Sequence, residues 1–255
     1  MRPWLLSELN YSHVRDQPAI EVAVLPLGAT EPHNLHLPYG TDTIQVEAVA
    51  ERACALAYER GARVVALPTI PFGTETNMMR FPLTMNLQPM TVARIITDLV
   101  DSLETHKIQK CLLLNGHGGN DLKWVLRELH VKTSVRLFLC NWYRVGADHH
   151  AEIFTKVGDH ADELETSMIL HLAPQLVELA KADPGTEAIS RFDAVRQGWV
   201  QITRPWHLAT TQTGVGDPRP ATAAKGAALF ELVVARIADF LVDLAGSPID
   251  EHFPY

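Results

Sequence analysis

Residues 31–38 read EPHNLHLP, and Asp42 follows four positions later. The stretch comes straight after the apolar run VAVLPLGA. Glu31 and His33 are two apart, so in an extended segment their side chains leave on the same face. Asp42, at the start of a following helix, can return to that face, and its two oxygens allow it to bridge two ions. A second set of ligand types is NGHGGN (115–120), with His117 at its centre. A third is GDHADELETS (158–167), where His160 and Glu165 lie five apart. Carboxylate oxygen combined with imidazole nitrogen suits Zn²⁺, Mn²⁺ or Fe²⁺ better than Ca²⁺ or Mg²⁺. Glu165 is a candidate further ligand. His160 and Glu165 converge on one site if His160 precedes the helix, and His160 can stay unligated and shuttle protons near neutral pH.

Each of these residues has a plainer reading taken alone. A single Glu or His on a loop is usually a solvated side chain, and His36 has the option of a backbone carbonyl. His149 and His150, beside Asp148, read as surface polar residues without a role. Glu31, His33, Asp42 and His117 taken together point to a metal site, because they gather among glycines at two expected strand ends. NGHGGN has a rival reading as a phosphate cradle. It matches neither G-x-G-x-x-G nor a P-loop lysine motif. Gly118 and Gly119 would instead let a small substrate approach, or offer N–H groups to an oxyanion. Asp159 and Trp142 stay open between substrate contact and a structural role.

The elements that must position these residues alternate. Residues 21–29, 63–70, 110–116 and 135–143 read as strands. Residues 43–61, 88–107, 120–133, 163–180 and 228–246 read as helices. Strands alternating with helices of this length imply crossover connections and a mostly parallel sheet, covered on both faces. Residues 181–222 break the rhythm and read as an excursion from the same unit, so residues 1–255 are expected to form one domain. In such sheets ligands bind beyond the carboxyl ends of the strands, which selects the loops holding EPHNLHLP and NGHGGN.

The chain has 255 residues, 47% of them hydrophobic, with a net charge of −8 and a pI near 5.8. It has no basic block, so nucleic acid and anionic membranes are poor partners. No stretch approaches the roughly 18–20 apolar residues of a transmembrane helix. The N-terminal MRPWLLSELNYSHVRD lacks a signal-peptide core. Cys54, Cys111 and Cys140 form no CxxC pair, which fits a reducing, cytoplasmic compartment.

LPLGATEPHNLHLPYGTD, NGHGGN, HADELETS and GVGDPRPATAAKG (214–226), in this order, resemble the creatininase family of metal-dependent amidohydrolases. The resemblance covers roughly residues 20 to 230. It implies a three-layer α/β/α fold, a two-metal site and a homohexamer. It implies that Glu31, Asp42 and His117 hold one ion, and that His33 and Asp42 hold the other. His160 matches the family's catalytic histidine. Where creatininase carries a glutamate ligand two residues after the histidine of its NGH motif, this chain has Gly119, leaving Glu165 to supply that carboxylate. Asn34 stands where the family usually has Gly. In FGTETNMMRFPLT (72–84), Asn77, Met78 and Leu83 depart from a stretch that often carries a His and ends FPGT. That segment is expected to line the pocket, and its departures weigh against creatinine.

The expectation is therefore hydrolysis of a small amide, cyclic or formyl, with one or two divalent ions acidifying a water. His160 would pass a proton to the leaving nitrogen, and Asp159 would sit near the substrate. The alternatives are a keto-cyclitol or keto-sugar hydrolase with the same metals, and a non-catalytic phosphate- or nucleotide-binding module.

Overall fold

The computed structural model describes residues 1–156 and 158–255. Two apolar runs, VAVLPL and KCLLLN, are buried along their whole length and form the middle of the sheet as β1 (Val22–Leu27) and β3 (Lys110–Asn115). β2 (Val64–Ala66) and β4 (Arg136–Asn141) flank them. The order is β2-β1-β3-β4, and every neighbouring pair is parallel. Leu27 pairs with Asn115, and Asn115 with Asn141, so three strands end level at one rim.

The helices run α1 (Tyr11–Asp16), α2 (Thr41–Glu59), α3 (Pro89–Thr105), α4 (Lys123–Leu129), α5 (His150–Ile153), α6 (Glu163–Leu172), α7 (Asp193–Arg196), α8 (Trp206–Ala209) and α9 (Ala223–Gly246). Alternation along β1 assigns them to layers. Val22 and Val24 join a core with Val46 and Val49 of α2, Met168 of α6, and Leu229 and Val233 of α9. Ala23, Leu25 and Leu27 join a second core with Val92, Ile96 and Val100 of α3 and Val125 of α4. The result is the expected three-layer α/β/α arrangement around a parallel sheet. Each fully buried Leu, Val or Ile contributes about 1.5–3 kcal/mol of apolar transfer.

The helix ends are satisfied locally. The Asp162 side chain accepts the Glu165 N–H at 3.0 Å and starts α6. Thr222 Oγ1 accepts the Lys225 N–H at 3.2 Å and starts α9. Lys110 Nζ donates to the carbonyls of Leu244 (2.7 Å) and Ser247 (2.6 Å) at the other end of α9. These bonds satisfy termini that would otherwise leave polar groups without partners. Gly226 lets α9 press on α6, because a Cβ there would lie 1.9 Å from the Ser167 carbonyl oxygen.

Several expected bounds change. The strand expected over 63–70 is continuous only at Val64–Ala66; Pro68 cannot donate to a ladder, and pairing resumes as a single parallel bridge between Ile70 and Leu27. The helix expected over 163–180 stops at Leu172, since Pro174 follows and disfavours helical backbone at Ala173. The helix expected from 120 begins at Lys123, because Asn120 and Asp121 close a turn onto the His117 and Gly119 carbonyls. α9 begins at Ala223 rather than 228, on its threonine cap. α1, with the Asn10 side chain accepting the His13 N–H, lies outside the expected elements. Residues 181–222 are largely irregular, as expected, with short α7 and α8 inside them.

Candidate metal centre

The rim of β1 and β3 is built by close backbone approaches. A Cβ on Gly28 would lie 2.7 Å from Thr43 Cα, and one on Gly116 would lie 3.0 Å from the Asp42 carbonyl oxygen. Both loops can therefore press against the first turn of α2, which brings Asp42 beside His117. Asn34 sits at φ 56°, a left-handed conformation that Gly or Asn adopts most readily. Its N–H donates to Thr213 Oγ1 at 2.8 Å and its Nδ2 to the Asp183 carbonyl at 2.9 Å, so the loop is tied to the excursion.

The expected ligand types converge. His117 Nδ1 lies 2.9 Å from Asp42 Oδ2 and 3.1 Å from Glu31 Oε1. His33 Nε2 lies 3.0 Å from Asp42 Oδ1 and 3.9 Å from Glu165 Oε2. The donor atoms of Glu31, Asp42 and His117 all fall within 4.8 Å of one another, as do those of His33, Asp42 and Glu165. A third such group joins Glu31, His33 and His160. Metal–ligand bonds of about 2.0–2.2 Å put two donors on one ion up to roughly 4 Å apart, so small side-chain adjustments close either set. Gly119 brings no ligand, and Glu165 is the second carboxylate beside His33.

His160 differs from the other two histidines in its charge. Its Nε2–H donates to the Pro32 carbonyl at 3.0 Å, and its Nδ1 sits 3.7 Å from Glu31 Oε1. Burial, then the neighbouring His33, pushes this imidazole down to about 3, so it is neutral at ordinary pH. Its ring lies against His33 (centroids 4.2 Å apart) and Trp206 (4.9 Å). Burial opposes protonation of His33 and His117 too, but the surrounding carboxylates outweigh it. His33 is raised to about 10 and His117 well above the ordinary value. Burial raises Glu165 and Glu75 to about 8 each. Asp42 goes the other way: the two imidazoles overcome its burial and hold it far below the usual carboxylate range.

This donor set fits divalent ions of the zinc and manganese kind. Three buried carboxylates and the half-buried Glu165 crowd two imidazoles, and the imidazoles hold protons where a cation would replace them. His33 also presents the right nitrogen. His33 Nδ1–H donates to the Glu31 carbonyl at 3.1 Å, leaving Nε2 toward Asp42.

A cleft of about 440 Å³ opens on the cluster. Gly118 and Gly119 line it, and among the described residues neither of their N–H groups has an acceptor. Asp159 lines it too, but its side chain is exposed and paired with Arg204 at 2.6 Å. Trp142 lies fully buried in the core, so its role is packing. His36 donates to or accepts from Thr166 Oγ1 at 2.8 Å instead of a backbone carbonyl. His150, read as a roleless surface residue, lines the cleft, whereas His149 pairs with Glu152 at 3.0 Å. Glu75, Arg204 and Trp206 complete the walls and were not singled out by sequence reasoning. Arg204 stacks over Trp206 at 4.6 Å and pairs with Glu187 at 3.2 Å. Glu75 lies in the segment 72–84 expected to line the pocket, and nothing in the sequence marks its carboxylate as buried. Arg204 and Trp206 sit in the irregular excursion, where no periodicity marks them.

Fold and site together define a three-layer α/β/α protein with a buried carboxylate–imidazole cluster at the carboxyl rim of its sheet. The chain belongs to the creatininase family: the family profile described as creatinine amidohydrolase matches residues 7–241. A mycofactocin precursor peptide peptidase from Mycobacterium ulcerans is 28% identical over 92% of each chain. The creatinine amidohydrolase of Pseudomonas putida is 26% identical over 86% of this chain and 87% of that one. A crystal structure from Bacteroides fragilis, provisionally assigned as a creatinine amidohydrolase, superposes with a TM-score of 0.90 at 33% identity. It covers 98% of this chain and all of the other. A structure described as creatininase Mn shares the fold, with a TM-score of 0.78 at 22% identity over 96% and 99%.

Proposed function

We propose that this chain is a metal-dependent hydrolase of an amide C–N bond in a small substrate. The observation that carries the reading is the sharing of Asp42 between two three-residue donor sets. Glu31, Asp42 and His117 hold one divalent ion, and His33, Asp42 and Glu165 hold a second. Such ions, when bound, supply Lewis acidity toward a carbonyl oxygen and acidify water. His160 carries its lone pair on Nδ1, since its Nε2–H is used by Pro32, so it takes up a proton at Nδ1 and passes it to the leaving nitrogen. Gly118 and Gly119 line the cleft, and their N–H groups, without an acceptor among the described residues, are available to bind the oxyanion that develops. Trp206 and Arg204 wall the substrate in and keep bulk water out.

Two named activities among the relatives bear on the substrate. A peptide amide is as compatible with this machinery as a cyclic amide or a formamide, given the peptidase relatives. Phosphate binding without metal gains no support from the site, because NGHGGN opens on the carboxyl groups of Glu31, Asp42, Glu75 and Glu165 and carries no lysine of its own. The keto-cyclitol reading gains no support from the relatives' named activities.

Assembly into a homo-oligomer, a hexamer by family resemblance, accounts for the exposed apolar side chains of the excursion, among them Ile189 (83% exposed) and Trp199 (72%). No helix of the described residues is long and apolar enough to cross a membrane, and a cytoplasmic setting is proposed. The test is elemental analysis of protein purified without chelators, followed by turnover of formamides, cyclic amides and short peptides. Up to two Zn²⁺ or Mn²⁺ per chain and release of an amine are expected. A chain that takes up neither ion on addition overturns the reading.

A further inference from the structure

The outer nitrogens of the three clustered histidines are held differently. His33 and His160 each give theirs to a backbone carbonyl, at 3.1 Å and 3.0 Å. His117 has only a long contact to the Thr74 carbonyl, at 3.3 Å. Beside that contact lies Glu75 Oε1, 2.9 Å from the same Nε2. Glu75 is 1% exposed, and Oε1 has no aligned donor among the described residues. A buried carboxylate oxygen without a donor is costly, so its position beside a ring nitrogen calls for a reason.

We propose that Glu75 is a positioning residue that, with the Thr74 carbonyl, holds the Nε2–H of His117 and thereby keeps Nδ1 aimed at the ion shared by Glu31 and Asp42. This rests on the metal-dependent reading above. A ring nitrogen whose opposite N–H faces a carboxylate is fixed in one tautomer and is a more basic ligand. The local chain is built to keep Glu75 there. The Glu75 N–H donates to Asn86 Oδ1 at 2.8 Å. The Thr74 N–H donates to Asn120 Oδ1 at 3.1 Å, which ties the segment to the loop that carries His117. Gly119 leaves the space this contact needs: a Cβ there would lie 2.2 Å from His117 Nε2 and 2.6 Å from the Thr74 carbonyl oxygen. The glycine that stands in place of a family glutamate thus belongs to the same arrangement. A larger side chain at 119 would push the His117 ring away from both Glu75 and Thr74.

The test is a Zn²⁺ titration against a competing chelator dye, comparing wild type, Glu75→Leu and Glu75→Gln. Wild type is expected to show its ions in resolved steps. Glu75→Leu should weaken one step by about 10–100-fold, the usual effect of removing an outer partner of a ligating histidine, and leave the other unchanged. Glu75→Gln keeps an acceptor oxygen and should recover part of the loss. Should Glu75→Leu fail to fold by circular dichroism, ring-¹⁵N histidine spectra of Zn²⁺-loaded wild type and Glu75→Gln decide. His117 is expected to carry its single ring proton on Nε2, slow to exchange, with a resonance that moves in the Gln variant. Unchanged Zn²⁺ steps in Glu75→Leu, or a His117 proton on Nδ1, or one indifferent to Glu75→Gln, would overturn the inference. Absence of Zn²⁺ binding by the wild type would instead remove the metal reading itself.

Discussion

Asp42 Oδ1 lies 3.0 Å from His33 Nε2, while the other oxygen of the same carboxylate is turned to a different imidazole. One carboxylate therefore serves both donor sets. Under the proposed assignment, Asp42→Asn should remove both ions, whereas Glu165→Gln should lower the stoichiometry by one. Glu31→Gln and His117→Ala should each empty the other position. Elemental analysis after desalting reads all four. A full complement of metal in Asp42→Asn would rule out the shared-ligand arrangement.

His160 is neutral, with its Nε2–H fixed on Pro32, so its expected work is proton transfer and not charge compensation. His160→Ala should keep its metal and lose turnover by about 10²–10⁴-fold. Trp206→Ala removes the ring that packs on His160. A stacking contribution of about 0.5–1.5 kcal/mol predicts up to roughly a tenfold fall in kcat, with metal content intact. Near-wild-type turnover in His160→Ala would exclude the role.

The chelated protein should lose stability on the alkaline side. His33 is raised to about 10, so its stabilisation is complete below its ordinary value near 6.5 and disappears as pH rises through 10. Glu165 and Glu75, raised to about 8 by burial, act in the same sense, because the folded state holds their protons longer than the unfolded chain does. Asp42 opposes this only in acid, where its stabilisation is lost as pH falls below the ordinary carboxylate range. Melting temperatures measured in a chelator should therefore decline from pH 6.5 to 10. Added Zn²⁺ should reverse the decline, since ions replace those protons. A flat profile would count against the buried imidazoliums.

Gly226→Ala should destabilise the protein without touching the cleft. Its Cβ would collide with the Ser167 backbone, which is part of α6 and cannot swing aside. Overpacking of this kind costs about 1–3 kcal/mol, or roughly 2–4 °C in melting temperature per kcal/mol at this size. An unchanged melting curve would show that α6 and α9 can separate at little cost.

Much of this protein can be read from residue types in order. The continuous apolar runs VAVLPL and KCLLLN announce buried parallel strands, because only a sheet covered on both faces has use for them. Glu31, His33, Asp42, His117 and Glu165 announce themselves by chemistry, next to glycines that permit close approach. Asn34 reads in sequence only as a departure from the family's Gly, and its positive φ supplies the reason. Local propensity misplaced the ends of several elements, as at Pro174 and Thr222, because capping and proline effects act over one or two residues.

Only the tertiary structure decided which side chains meet. Glu75 reaches His117, and Trp206 reaches His160, across long loops with no periodicity to reveal their direction. A carboxylate on such a loop looks solvated in sequence. Burial beside an imidazole is a property of the packed chain, and that burial sets both its charge and what it can do.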